Sequence, residues 1–279
     1  VKCLDGQLDL LGGSSVGTSL ITAADPSARV RIAENPVHLG GSTFYAHSVA
    51  LLILDVTNNV WGTLEAAGIT SVRTDRPNVL PPASTLRLAS GVTVSFDLNG
   101  QDQTVGKLEC AVVGNYFLGS KAPATLTVNQ TSASEFKGSV TGAVSLVKSG
   151  TGALTLSGTN TLSGAVVVSN GTLLVTGAGT LGLACTNVVV AGGTLTLSNS
   201  FALADTAVLN LANGGGAKVD LAAGVNESVG YLYYNGRQQR AGTYGSTDSA
   251  AANKNNEHFS GTGVLRVLHD NAGTVLFMR

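Results

Sequence analysis

The chain has 279 residues, a formal net charge of −1 and only 12% charged side chains, against 36 glycines and 5% aromatics. Lys and Arg fall singly, which excludes the clustered basic surface of a nucleic-acid or acidic-lipid binder. No apolar run approaches the roughly 20 residues of a membrane-spanning helix, and the aromatics are too few for the girdles of an outer-membrane barrel.

Residues 1–56 are the least regular. The sequence starts at Val1 with neither Met nor an apolar signal segment, which suits a processed secreted protein or a trimmed chain. "DPSARVRIAENPVHLGGSTFYAHSVALLILDV" carries Arg29, Arg31, Glu34, His38 and His47, and its apolar end "VALLILDV" is strand-sized. Entry coils and an N-terminal cap are expected here, with a binding surface as the alternative.

Regularity begins near residue 57. "TNNVWGTLEAAG" (57–68) aligns with "TNTLSGAVVVSNG" (159–171) through Thr57/Thr159, Asn58/Asn160, Gly62/Gly164 and Gly68/Gly171. "TLRLASGVTVSFDLNGQDQTVGKLEC" (85–110) continues the pattern. Farther on, apolar pairs recur in columns. Val144/Leu146, Val166/Val168, Val188/Val190 and Leu209/Leu211 follow one another at 22, 22 and 21 residues. Leu154/Leu156, Leu173/Val175, Leu195/Leu197 and Val219/Leu221 do so at 19, 22 and 24, and a looser third column runs Leu162, Leu183, Leu203. Residues two apart on a strand share a face, so three columns with one period describe a coil of three short walls.

The expected fold is therefore all-β: a single-stranded right-handed parallel β-helix of about 22 residues per coil. It is read as one domain, with cap and entry coils at 1–56, regular coils at 57–225, and a C-terminal cap and apolar tail at 226–279. Dividing length by period gives roughly 12 coils and a rod of about 60 Å. Val144, Val166 and Val188 are expected in single file inside it. Stacked like charges would repel, and from Gly138 to Ala204 the only charged residue is Lys148.

"LVKSGTGALTLSGTNTLSGAVVVSNGTLLV" (146–175) resembles the autotransporter-associated β-strand repeat of large secreted bacterial passenger proteins. "LASGVTVSFDLNGQDQTVGKL" is similar to segments beside such repeats, and "AGTYGSTDSAAANKNNEHFSGTGVLRV" (241–267) resembles their closing segment. The likeness, good over about 57–267, implies a parallel β-helix exported to the outside of a bacterium. It implies no activity, because the repeat carries no catalytic residues. No C-terminal translocator barrel is read in these residues.

At the C-terminal end, "YLYYNGRQQRAGTY" places Asn235-Gly236 between strand-like flanks, a hairpin signal. Tyr231, Tyr233, Tyr234, Tyr244 and Phe259 gather aromatics there. A cap over the last coil is one reading; a sugar-stacking platform formed by Tyr233, Tyr234 and Tyr244 is the other. The tail "TVLFM", Thr274, Val275, Leu276, Phe277 and Met278, is apolar and strand-forming. It is expected either to pack on its own rod or to add to a neighbouring copy.

Chemistry finds little purchase. Glycoside cleavage needs paired carboxylates, or acidic calcium ligands with a base, yet no acidic residue lies between Glu135 and Asp205. The remaining candidates are Asp97 and Asp102, and Asp205 with Asp220, Asp97 reading first as turn chemistry. His38, His47, His258 and His269 form no metal-binding pattern, Ser lacks a G-x-S-x-G elbow, and "NGGGAK" (213–218) lacks P-loop spacing. Cys3, Cys110 and Cys185 allow at most one internal disulfide, with buried free thiols as the alternative.

The expected function is that of a non-enzymatic structural protein outside the cell or on a bacterial surface. It would be a rod or filament subunit whose partner is another copy of itself, with adhesion to surface glycans as a compatible role and no cofactor or metal. The alternatives are a carbohydrate-active β-helix enzyme, polysaccharide lyase or hydrolase, and a glycan-binding module.

Overall fold

The computed structural model describes residues 2–3, 7–11, 19–23, 29–33, 36–212 and 216–270, the first three segments as backbone strands. They form a parallel β-solenoid of about nine turns with about 22 residues per turn. At about 4.8 Å per turn the rod is roughly 43 Å long. That is fewer than the 12 coils expected; part of the difference is the cap, where the step from Val219 to Phe259 spends 40 residues on one rung.

Three walls are built by successive strands in parallel register. The first stacks Thr43–His47 on Thr63–Thr74, Thr85–Asp97 and Lys107–Glu109, then Ser134–Phe136, Ala153–Leu156, Thr172–Val175, Thr194–Leu197, Lys218–Leu221 and Phe259–Gly261. The second passes from Gln7–Leu11 through Arg29–Ala33 and Leu51–Asp55 to the far halves of the long strands. The third stacks Gln103–Val105, the end of Tyr116–Asn129, the end of Ser139–Ser149, Val166–Val168, Asn187–Val190, Val208–Leu211 and Tyr231–Tyr234.

Alternation places every second residue inside. Leu154, Leu173, Leu195 and Val219 stack directly over one another, all fully buried, as their spacing predicts. The other main column needs a correction. Leu146, not Val144, lies over Val166, and Val166 lies over Val188. Because a slip of two residues preserves the face, Val144 still points inward and is buried. In consequence Lys148 enters the inward file between Val128 and Val168. The loose third column also shifts: Leu162, Leu181 and Leu203 are buried, whereas Leu183 is 84% exposed at a turn.

Corners leave backbone groups off the ladder, and inward polar side chains satisfy them. Asn160 Oδ1 accepts the Val140 N–H at 2.8 Å while its Nδ2 donates to the carbonyls of Gly158 and Thr180 at 3.1 and 2.6 Å. Asn59 performs the same task for Val37, Val56 and Val79. The counterpart of Asn160 is thus Asn59 and not Asn58, which takes a left-handed turn conformation, φ 61°. Gln103 serves Val79, Leu80 and Arg76, and Gln130 serves Ser132 and Ala153.

The end of the rod is closed as the Asn235-Gly236 pair predicts. Tyr231–Tyr234 pairs antiparallel with Arg237–Gln238, and the two turn residues have φ of 48° and 74°, the positive values a type I′ turn requires. Beyond it Gly242–Gly245 packs antiparallel to Val264–Val267. Residues 274–278 lie outside the described residues.

Candidate functional site

The charged residues concentrate on the outer face of the N-terminal half. On the first wall the register stacks Glu65, Arg87 and Glu109 in one outward file. Arg87 binds both acids, through Nη1 to Glu65 at 2.9 Å and Nε to Glu109 at 2.5 Å, and Lys107 reaches Glu109 at 2.7 Å. Glu135 follows one rung on, 3.6 Å from Lys137 and accepting a hydrogen bond from Ser157 at 2.7 Å. Alternating sign from Glu65 through Arg87 to Glu109 avoids repulsion between stacked like charges; at the next rung two acids, Glu109 and Glu135, follow one another, each with a lysine beside it.

Arg87, Glu109 and Glu135 line a groove of about 400 Å³ whose other side is Leu88, Ala89 and Val112. Two carboxylates on neighbouring rungs of one groove are what glycoside chemistry would use. The state of Glu109 is the reverse of what a general acid needs. Burial works to raise the Glu109 carboxyl, but Lys107 and Arg87 outweigh it and hold the pKa below the ordinary value. On the second wall Asp55 is similar: burial opposes ionisation, yet Arg76 and Arg31 together lower its pKa.

The acids singled out in the sequence are separate. Asp97 Oδ1 accepts the Asn99 N–H at 2.8 Å, the turn role expected of it. Asp102 accepts from the Thr125 N–H at 2.6 Å, Asp220 accepts from Ser260 at 2.8 Å, and Asp205 is exposed at a corner. Among the described residues no group of three or more His, Cys, Asp or Glu side chains is placed to hold a metal. Cys110 and Cys185 are free and buried, and burial raises both thiol pKa values, Cys185 to about 11.

At the cap the aromatic rings pack on one another. Tyr234 stacks on the buried His258 with centroids 4.6 Å apart and meets Tyr244 edge-on at 6.4 Å. Tyr244 is buried and donates its hydroxyl to the Arg240 carbonyl at 2.8 Å. Tyr233 and Tyr234 are half-buried, and Tyr231 meets the exposed His269 at a 44° tilt, with centroids 5.6 Å apart. Tyr244 therefore belongs to the packing of the cap, and the outward ring of the three is Tyr233.

Two buried charges escape a reading by composition. The Lys148 ammonium donates to the carbonyls of Ser149, Gly150 and Asn170 at 2.6, 2.9 and 3.2 Å, and burial lowers its pKa to about 8. Glu227, fully buried, accepts the N–H groups of Ala202 and Leu203 at 3.0 and 3.2 Å, and burial raises its pKa to about 7. The signal for Lys148 was its inward phase, two residues after Leu146. Glu227 carries the same signal, lying midway between Val225 and Val229, both buried.

These walls define the class: a three-walled parallel β-solenoid with small polar residues outside, an ion ladder on its N-terminal half and a hairpin cap at its C-terminal end. Residues 146–175 match the model of the Passenger-associated-transport-repeat family. The match spans the segment containing Lys148 and Asn160, and with the solenoid it bears out the resemblance to autotransporter passenger repeats. No curated protein and no solved structure matches the chain.

Proposed function

We propose that the chain is a non-enzymatic rod displayed outside the bacterial cell, built to hold length and to associate with further copies. The passenger-type repeat supports export to the surface or beyond. The observation that carries the reading is the regularity of the walls, in which side chains repeat rung upon rung, while the half-buried acids of the groove at Glu109 and Glu135 are held by Arg and Lys. Uncovered solenoid ends are sheet edges, and edges pair with other chains unless blocked. The hairpin closes one end, so association would use the opposite end or the apolar segment Thr274–Met278.

Electron microscopy of the purified protein tests this directly. Filaments or end-to-end rods that are lost when residues 271–279 are deleted support assembly through the tail. Monodisperse single rods at every concentration count against self-association. The rival reading, a polysaccharide lyase or hydrolase, draws on the neighbouring Glu109 and Glu135. Release of reducing sugar or unsaturated product from a polysaccharide panel, abolished in the Glu109→Gln variant, would favour it over the rod.

A further inference from the structure

On the second wall one outward ring stands apart from its neighbours. Phe117 is 38% exposed, and the residues in register with it on the adjoining turns are Ser95 and Ser139. An aromatic between two serines has no ring to stack on among the described residues, so its face is left to water or to a ligand. Two residues on, the file runs Asp97, Gly119, Thr141. Gly119 is needed by close approach: a Cβ there would come within 2.5 Å of Thr141 Oγ1. The glycine keeps the floor one side chain deep and leaves the Thr141 hydroxyl leaning across it.

The far edge of this trough is raised by a break in the ladder. Ser120 pairs with Gly142 and Ala124 with Val144, so three residues on one strand face a single residue on the other. The extra backbone, Lys121 to Pro123, bulges out and is exposed. Ser120, itself buried, pins the bulge by donating to the Ala122 carbonyl at 2.5 Å and accepting the Gly100 N–H at 2.9 Å. Bulges of this kind re-aim side chains at functional edges. The Lys121 ammonium has no ion-pair partner among the described residues. Asp97 uses one carboxylate oxygen for its turn, and Arg73, in register with it on the adjoining turn, acts on it through its charge while its own hydrogen bonds go to Asp75. The trough is open to solvent and holds about 580 Å³, within the range of small-ligand sites, about 300 to 1,000 Å³.

The geometry points to a carbohydrate subsite in this trough, taking a neutral hexopyranose with its C–H face on Phe117. A pyranose has one apolar face and a rim of hydroxyls. The ring supplies the first contact, and Asp97, Thr141 and Lys121 supply acceptors and donors for the rim. One carboxylate beside one ammonium leaves the lining without net charge, which gives a charged sugar no advantage over a neutral one. The site lies on the wall rather than at the cap, goes beyond the rod reading and does not depend on assembly.

The test is a carbohydrate array of neutral gluco-, manno- and galacto-oligosaccharides of three to six sugars, with uronate and sulfated oligomers alongside, followed by titration calorimetry on the hits. Wild type is expected to bind a neutral oligomer at up to millimolar dissociation constants. Phe117→Ala is expected to weaken that binding at least tenfold with an unchanged unfolding midpoint, Phe117→Trp to restore it, and Asp97→Asn to weaken it. The proposal is overturned if no neutral saccharide binds, if only acidic oligomers bind, if Phe117→Ala binds as wild type does, or if Tyr233→Ala abolishes binding that Phe117→Ala leaves intact.

Discussion

Replacing Glu227 by Gln should stabilise the protein above neutral pH and leave it nearly unchanged in acid. The carboxyl is fully buried at the corner that precedes the cap, and its two oxygens accept the N–H groups of Ala202 and Leu203. Burial raises its pKa from 4.5 to about 7, against the lowering effect of those two hydrogen bonds, with Asp205 adding to the rise. The folded protein therefore binds this proton more tightly than the unfolded chain does. Its contribution is present in full below about 4.5 and is lost as pH rises through about 7. At about 1.4 kcal/mol per tenfold in proton affinity, the loss is about 3 kcal/mol. Gln is an adequate replacement because Gln103 already does this work: its single Oε1 accepts the N–H groups of Val79 and Leu80 at 3.0 and 3.2 Å. Urea midpoints of both proteins at pH 5, 7 and 8.5 provide the assay. The variant should match wild type at pH 5 and exceed it at pH 8.5. A variant that is destabilised equally at all three values would refute the idea that an ionising carboxylate sits in that corner.

Three further outcomes follow from the same geometry. Lys148 has a folded pKa of about 8 against 10.5 unfolded, so its stabilising contribution is complete above 10.5 and lost as pH falls through 8. Wild type should gain urea resistance between pH 7.5 and 10, and Lys148→Met should show no such gain. Val166→Asp puts an unpaired charge between Leu146 and Val188 and is expected to lower unfolding stability by at least about 3 kcal/mol, read from the denaturant midpoint. Asn160→Ala strands the Val140 N–H and two carbonyls at one corner, which should cost about 2 kcal/mol by the same measurement.

How much of this was legible depends on what fixes each feature. Wall positions such as Leu154, Leu173 and Leu195 obey one alternation, so spacing alone placed them. Register at the corners is another matter. The coil from Leu146 to Val166 takes 20 residues, fewer than the average period, and since Val144 and Leu146 both point inward, apolar pattern could not choose between them. Lys148 held the answer, yet a lone lysine among aliphatics reads as a surface residue until its phase is followed inward. The same ambiguity moved the third column from Leu181 to Leu183 and the buried corner amide from Asn59 to Asn58, one or two positions along a turn in each case. The Asn235-Gly236 hairpin was legible because its turn type demands positive φ at both residues. The trough at Phe117 was hidden because its parts, Asp97, Phe117, Lys121 and Thr141, come from three different turns of the rod.

Stacking of aliphatic pairs in a fixed parallel register underlies every inference above, and cross-linking across one pair of rungs tests it most directly. Val147 and Val167 are register partners on the outer face of the third wall, whereas Ser145 lies two residues off that register. Adjacent parallel partners sit about 4.8 Å apart and diagonal ones about 7 to 8 Å, either side of the distance limit for a disulfide. The double variant V147C/V167C should form the bond on mild oxidation, as read by mass spectrometry, and S145C/V167C should not. Efficient bonding of Ser145→Cys with Val167→Cys and none in the other pair would contradict the account.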